Sequence, residues 1–224
     1  MLEEELRTAD APHAYWRPAS GALPDAEDID GMVILGGTMG ANDEELFPHL
    51  ADLKKLVREA ESLDVPVLGI CLGGQLMAEA LGGRLTPERN GEKGIADVSL
   101  TTLGCFDPLF EGIPYNFVTF QWHNDSFVMP EGAILLARNT SCPHQAFRYG
   151  RSAYGLQFHP EMNLATGEAW IAEKRPDLMG LYKAKRSQHE GFGRKILSNF
   201  ITMSIKRPVT AHRFRQDSPS ATRE

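Results

Sequence analysis

Short, continuous apolar runs alternate with longer stretches whose apolar residues recur every three or four positions, and that alternation predicts the architecture. Met32-Val33-Ile34-Leu35 and Val65-Pro66-Val67-Leu68-Gly69-Ile70 are short and rich in β-branched residues, the pattern of strands buried on both faces. Between them Leu50, Leu53, Leu56, Val57 and Ala60 share one helical face, with Lys54, Lys55, Arg58 and Glu59 outward, as in an amphipathic crossover. Leu76, Met77, Ala80 and Leu81 keep helical spacing until Gly82-Gly83 ends the element. Strand, helix, strand, helix is the order of a doubly wound, mostly parallel α/β sheet with flanking helices, which binds ligands at the carboxyl ends of its strands.

From Gly94 to Gln157 the pattern shifts to short strands: Ile95 to Leu103, Phe117 to Trp122, Ala133 to Ala137, Gln145 to Tyr149 and Ala153 to Phe158. The turn signals between them, Pro130-Glu131-Gly132 and Gly150-Arg151 among them, suit an antiparallel strand addition to the sheet. Residues 164 to 205 read as helical, with breaks near Pro176 and Gly191/Gly193. Residues 1 to 10 read as an acidic helix and Ala14 to Arg17 as a short strand. The division expected is one domain over residues 1–205 and a polar, Ser/Arg-rich flexible tail over 206–224.

Cys71 sits where the second strand gives way to a helix. In Gly69-Ile70-Cys71-Leu72-Gly73 the flanking glycines permit a sharp turn that projects the sulfur above the sheet, the cysteine counterpart of a nucleophile elbow. The N–H groups and positive end of the following helix can stabilise negative charge on the sulfur or on an oxyanion. The plainer alternative is a small buried core residue, the usual fate of a free cysteine. Gly36-Gly37-Thr38-Met39-Gly40, at the end of the first strand, is either a backbone approach to a ligand or an ordinary βα turn.

Composition narrows the chemistry. The 224 residues suit one α/β domain, or one with an extension; the net charge of −7, without an extended basic run, gives no indication of a nucleic-acid or anionic-membrane partner. Three cysteines, with no Cys-x-x-Cys pair and no Cys/His cluster at metal spacing, argue against a disulfide framework and structural zinc; no metal and no cofactor is inferred. No apolar run approaches membrane-spanning length and the acidic N-terminus lacks a signal-like apolar segment, so a cytoplasmic location is expected. Cys105 and Cys142 have no elbow around them and read as structural or incidental.

Of seven histidines, His159 has the best claim as base to Cys71. The strand Ala153 to Phe158 must stop at Pro160, which leaves His159 at its end, and Glu161 two residues on can face the same side and orient the imidazole. His123, with Asp125 two residues on, is the runner-up; a pocket-lining or loop-surface histidine is the simpler reading of it.

Gly69-Ile70-Cys71-Leu72-Gly73-Gly74-Gln75, the Gly36-Gly37 turn and Gln157-Phe158-His159-Pro160-Glu161 together resemble the class I (triad-type) glutamine amidotransferases, in particular stand-alone domains similar to the glutaminase part of GMP synthase. The resemblance spans roughly residues 30 to 163 and implies a flavodoxin-like amidotransferase fold. It implies Cys71 as nucleophile, His159 as general base and acid, and Glu161 as orienting carboxylate. Backbone N–H groups of Gly37 and Leu72 would form the oxyanion hole, and Gln75, Gly73 and His123 would line the glutamine site. The activity implied is hydrolysis of the glutamine side-chain amide through a cysteine thioester, with ammonia supplied to a separate synthetase subunit, since no phosphate-loop pattern follows in this chain. Two alternatives stand beside it: a γ-glutamyl peptidase or hydrolase using the same site, and a non-catalytic binding subunit. The family opens with a parallel strand and then a helix, whereas this chain opens at what reads as that helix; the expectation is a strand upstream of Met1 or its replacement by Ala14 to Arg17.

Overall fold

The computed structural model describes residues 1–17 and 21–206. Three strands, β1 (Met32–Ile34), β2 (Val67–Ile70) and β9 (Ala153–Leu156), lie parallel, and β8 (Ala146–Tyr149), β7 (Ile134–Arg138), β4 (Glu92–Leu100) and β5 (Asn116–His123) extend them antiparallel. The order is β1-β2-β9-β8-β7-β4-β5, and a second, two-stranded sheet pairs β3 (Arg84–Thr86) with β6 (Ser126–Val128). The α/β class and the antiparallel addition are as the sequence pattern predicts, and the antiparallel part is the larger of the two.

Helices cover both faces. On one, α2 (His49–Ser62) and α3 (Leu72–Ala80) bury Leu50, Leu56, Val57, Leu76 and Met77 against Val67. On the other, α6 (Met179–Ile205) lays Ile196, Leu197 and Phe200 over Leu68, Ile70 and Val98, and α1 (Leu2–Thr8) joins this core through Leu2. The short α4 (Thr102–Cys105) replaces the end of the strand expected to run to Leu103, its first turn capped by the Thr101 side chain. α5 (Leu164–Lys174) opens on Asn163, whose side chain accepts from Thr166 N at 2.8 Å.

Two expectations are corrected. Ala14 to Arg17 is irregular chain and forms no strand; among the described residues β1 pairs with β2 alone. The helical segment does break at Pro176, where a 3-10 turn (Pro176–Leu178) precedes α6, but it runs unbroken through Gly191 and Gly193. Gly193 is there for clearance: a Cβ would stand 2.2 Å from the Pro160 carbonyl oxygen. The tail expected over 206–224 lies, apart from Lys206, outside the described residues.

Candidate active site

The site forms where β2 and β9 end side by side. Ile70 pairs with Leu156, and Cys71 N donates to Leu156 O at 2.8 Å, so the residue after each strand emerges at the same level. Cys71 caps α3 with φ 53° and ψ −106°, a left-handed conformation that a side chain adopts only under constraint from its surroundings. The neighbouring glycines supply that constraint by letting backbones touch. A Cβ at Gly69 would lie 2.4 Å from Gly73 O, one at Gly73 2.1 Å from Ile34 O, and one at Gly74 2.5 Å from Leu156 O. The helix therefore settles directly onto the strand ends, with the strain concentrated at Cys71.

His159 is held across the sheet's curl. Its N–H donates to Phe120 O of β5 at 2.8 Å, and its ring packs edge-on to Phe120 and Trp170. Nδ1 meets Glu161 Oε1 at 2.7 Å, while Nε2 is buried without a hydrogen-bond partner. A point beside Gly36 lies 2.9 Å from His159 Cε1 and 3.6 Å from Cys71 Cβ, so the two side chains converge over the Gly36-Gly37 turn. Burial works against charge on this ring, but the Glu161 carboxylate and the Cys71 sulfur more than offset it and raise the His159 pKa to about 10. The pair is built to keep a proton on the imidazole.

Other expected site residues surround this pair. Gly37 touches Leu72, since a Cβ there would lie 2.8 Å from Leu72 Cδ2, and the first helical hydrogen bond of α3, Gln75 N to Cys71 O, leaves the Leu72 and Gly73 N–H groups ahead of the ladder. Gly73 also seats α3 on β1, which explains this glycine by packing alone. Gln75 donates its side-chain amide to Asp125 O at 3.2 Å and, at 3.4 Å, to Gln157 Oε1. His123 lines a cavity of about 300 Å³ with Glu88, Gly91, Lys93 and Asn124. Its Nδ1 donates to the backbone carbonyl of Asp125 at 2.9 Å, and the carboxylate facing it is Glu92, with Oε2 3.6 Å from Nε2. The Asp125 carboxylate instead accepts from Glu88 N at 2.8 Å.

Sequence reasoning missed two neighbours of the sulfur. Gln157 Nε2 stands 3.9 Å from Cys71 Sγ and the Trp122 carbonyl 4.0 Å. Gln157 lies two residues before His159 in an extended segment, and that same-face spacing was the available signal; nothing local announces the Trp122 carbonyl. Cys105 is exposed, and burial pushes the Cys142 thiol up to about 12, which keeps it inert. Among the described residues no group of three or more His, Cys, Asp or Glu is placed to hold a metal ion, and no helix is long and apolar enough to cross a membrane.

The family model "Glutamine amidotransferase class-I" matches residues 3–175. The glutamine amidotransferase-like protein YfeJ of Salmonella typhimurium is 31% identical over 158 residues, covering 69% of this chain and 66% of that protein. One subunit of the glutamine-hydrolyzing GMP synthase of Halobacterium salinarum is 37% identical over 145 residues, covering 63% of this chain and 72% of the relative. A crystal structure of a glutamine amidotransferase from Thermotoga maritima superposes with a TM-score of 0.73 at 30% identity, covering 94% of this chain and 92% of that one.

Proposed function

The chain belongs to the class-I glutamine amidotransferase family, and on that premise we propose that it hydrolyses the side-chain amide of glutamine and hands the ammonia to a synthetase on another chain. The observation that carries the reading is the strained Cys71 facing a buried His159 whose Nδ1 is tied to Glu161 at 2.7 Å. In this proposal the Cys71 sulfur, its proton held by His159, attacks the amide carbon, and a carbon–sulfur bond forms as the carbonyl electrons move to oxygen. The Gly37 and Leu72 N–H groups hold that oxyanion. As it collapses, His159 gives its proton to the departing nitrogen, the carbon–nitrogen bond breaks and ammonia leaves. The neutral ring then takes a proton from water, which attacks the thioester and releases glutamate, and Cys71 is restored. Glu161 fixes the tautomer and orientation of the ring throughout.

Residues 1–205 form the amidotransferase domain in this reading, and a cytoplasmic site of action is supported by cysteines that are all free. A separate acceptor chain is suggested by the relative named as one subunit of a glutamine-hydrolyzing GMP synthase. The test is turnover of glutamine against a panel of γ-glutamyl amides and peptides, with and without Cys71→Ser and His159→Ala. Expected are glutamine as a preferred substrate, no turnover by Cys71→Ser, and loss of kcat with little change in KM for His159→Ala. Glutamine as the poorest of the panel would replace this reading with a γ-glutamyl hydrolase. Failure of a glutamine-analogue electrophile to trap Cys71 would replace it with a binding protein that has no turnover.

A further inference from the structure

Amide hydrolysis accounts for Cys71, His159 and Glu161 but not for how the far end of the substrate is gripped. The cavity of about 300 Å³ lined by Glu88, Gly91, Lys93, His123 and Asn124 opens where the start of β4 lies against the end of β5. Trp122 links its wall to the nucleophile: the Trp122 carbonyl lies 4.0 Å from Cys71 Sγ, and Trp122 is both the residue before His123 and the register partner of Lys93. Lys93 is the one lysine or arginine lining the cavity, and among the described residues it makes no salt bridge. Its Nζ sits 5.4 Å from the centre of the Trp122 ring, which supports the side chain without neutralising it. Burial makes its charge costly, and the Cys71 and Asp125 charges work the other way. A half-buried cation with a ring beneath it and no carboxylate partner is suited to receive an anion.

We propose that Lys93 binds the free α-carboxylate of the γ-glutamyl substrate and so restricts the site to compounds in which that carboxylate is unblocked. The cavity's other charged wall, Glu88, and the Asp125 carboxylate that accepts from Glu88 N, give the negative side that an α-ammonium needs, so the charges match an amino-acid zwitterion rather than a simple amide. This inference rests on the γ-glutamyl reading above.

The test measures the rate of Cys71 alkylation in the full chain by three reagents: a chloroketone analogue of glutamine with a free α-carboxylate, the same reagent as its α-methyl ester, and iodoacetamide. The expected result is that the parent reacts fastest with the free acid, and that Lys93→Met slows that reagent ~10- to 100-fold, the size of one charged hydrogen bond. The ester and iodoacetamide should slow equally and far less, through loss of the Lys93 charge near Cys71 alone, and Lys93→Arg should recover most of the loss. Equal slowing of all three reagents, or none, overturns the role of Lys93 while leaving the γ-glutamyl reading intact. A parent that takes the glutamine analogue no faster than iodoacetamide overturns that reading and this inference together.

Discussion

Cys71 carries a positive φ of 53° that glycine would adopt freely, so the protein sets stability against reactivity at a single residue. Comparison of Cys71→Gly with Cys71→Ala isolates the cost, because both delete the sulfur and only the former relieves the backbone. Cys71→Gly should be the more stable of the two by ~1–2 kcal/mol, the reverse of the usual ranking of alanine over glycine, as read by denaturant or thermal melts. A second prediction concerns His159, whose pKa is raised in the folded state to about 10 by Glu161 and Cys71 against the opposing effect of burial. A raised histidine stabilises the fold fully below its unfolded pKa of ~6.5 and loses that contribution as pH climbs through the folded value. Melting temperature should therefore fall between pH 6.5 and about 10 in the parent, and the fall should shrink in Glu161→Gln, which keeps a hydrogen-bond partner but removes the charge. The same substitution should lower kcat ~10²- to 10⁴-fold. The pairing of His159 with Glu161 was legible because the two are neighbours in one extended segment. The pairing of His123 with Glu92 was not, since it arises only when β4 and β5 align Glu92 opposite His123, and local spacing pointed to Asp125.

Two glycines in α6 illustrate how an element's sequence can mislead. Gly191 and Gly193 look like helix breakers, yet the helix continues through both because its apolar face is buried along its C-terminal half. Their reasons for being there differ. Gly193 lets the helix approach the Pro160 carbonyl that follows His159, whereas a methyl group at Gly191 would meet nothing within 4 Å. Gly191→Ala should stabilise by up to ~1 kcal/mol through helix propensity alone. Gly193→Ala should destabilise by ~1–3 kcal/mol, because backbone rather than a flexible side chain must move, and should reduce kcat as well, since the displaced segment carries His159 and Glu161. His189 of the same helix donates from Nε2 to Met162 O at 2.9 Å, which pins the other end of that segment. Burial lowers the pKa of His189, so it serves as a neutral donor. Long periodic elements such as α2 and the continuous apolar run of β1 were readable in the sequence, while β3 and β6, three residues each with polar residues among them, were not, because such a strand shows neither a period nor an apolar run and exists only through its partner.

At the scale of the molecule, the sheet separates two apolar layers, and the site opens where β2, β9 and β5 meet at its rim. The fold class was readable because alternation of buried strands and amphipathic helices leaves few other arrangements; the curl that brings Phe120 of β5 to His159 was not, because it depends on contacts between segments distant in sequence. Closure of the outer layer falls to one residue. Arg194 of α6 reaches Glu4 at 2.7 Å, Glu5 at 2.9 Å and Glu190 at 2.9 Å, and so ties α1 to α6 while Leu2 packs on the core beneath. Those three carboxylates raise the Arg194 pKa still further, keeping it charged at any accessible pH. The guanidinium is about a third exposed, so solvent screens each pair, and the three contacts together add far less than buried bridges would. Arg194→Met keeps the apolar stem and removes the charge, leaving Glu4, Glu5 and Glu190 to repel one another. Its melting temperature should drop by a few degrees at low salt (~1–2 kcal/mol), and the gap to the parent should narrow in ~1 M NaCl, where the Debye length is ~3 Å. Because the Arg194 guanidinium pairs with Glu4, Glu5 and Glu190 and with none of Cys71, His159 or Glu161, kcat and KM for glutamine should stay at parent values; a variant that melts normally but loses turnover would show that the α1–α6 clamp acts on the site itself rather than on the fold.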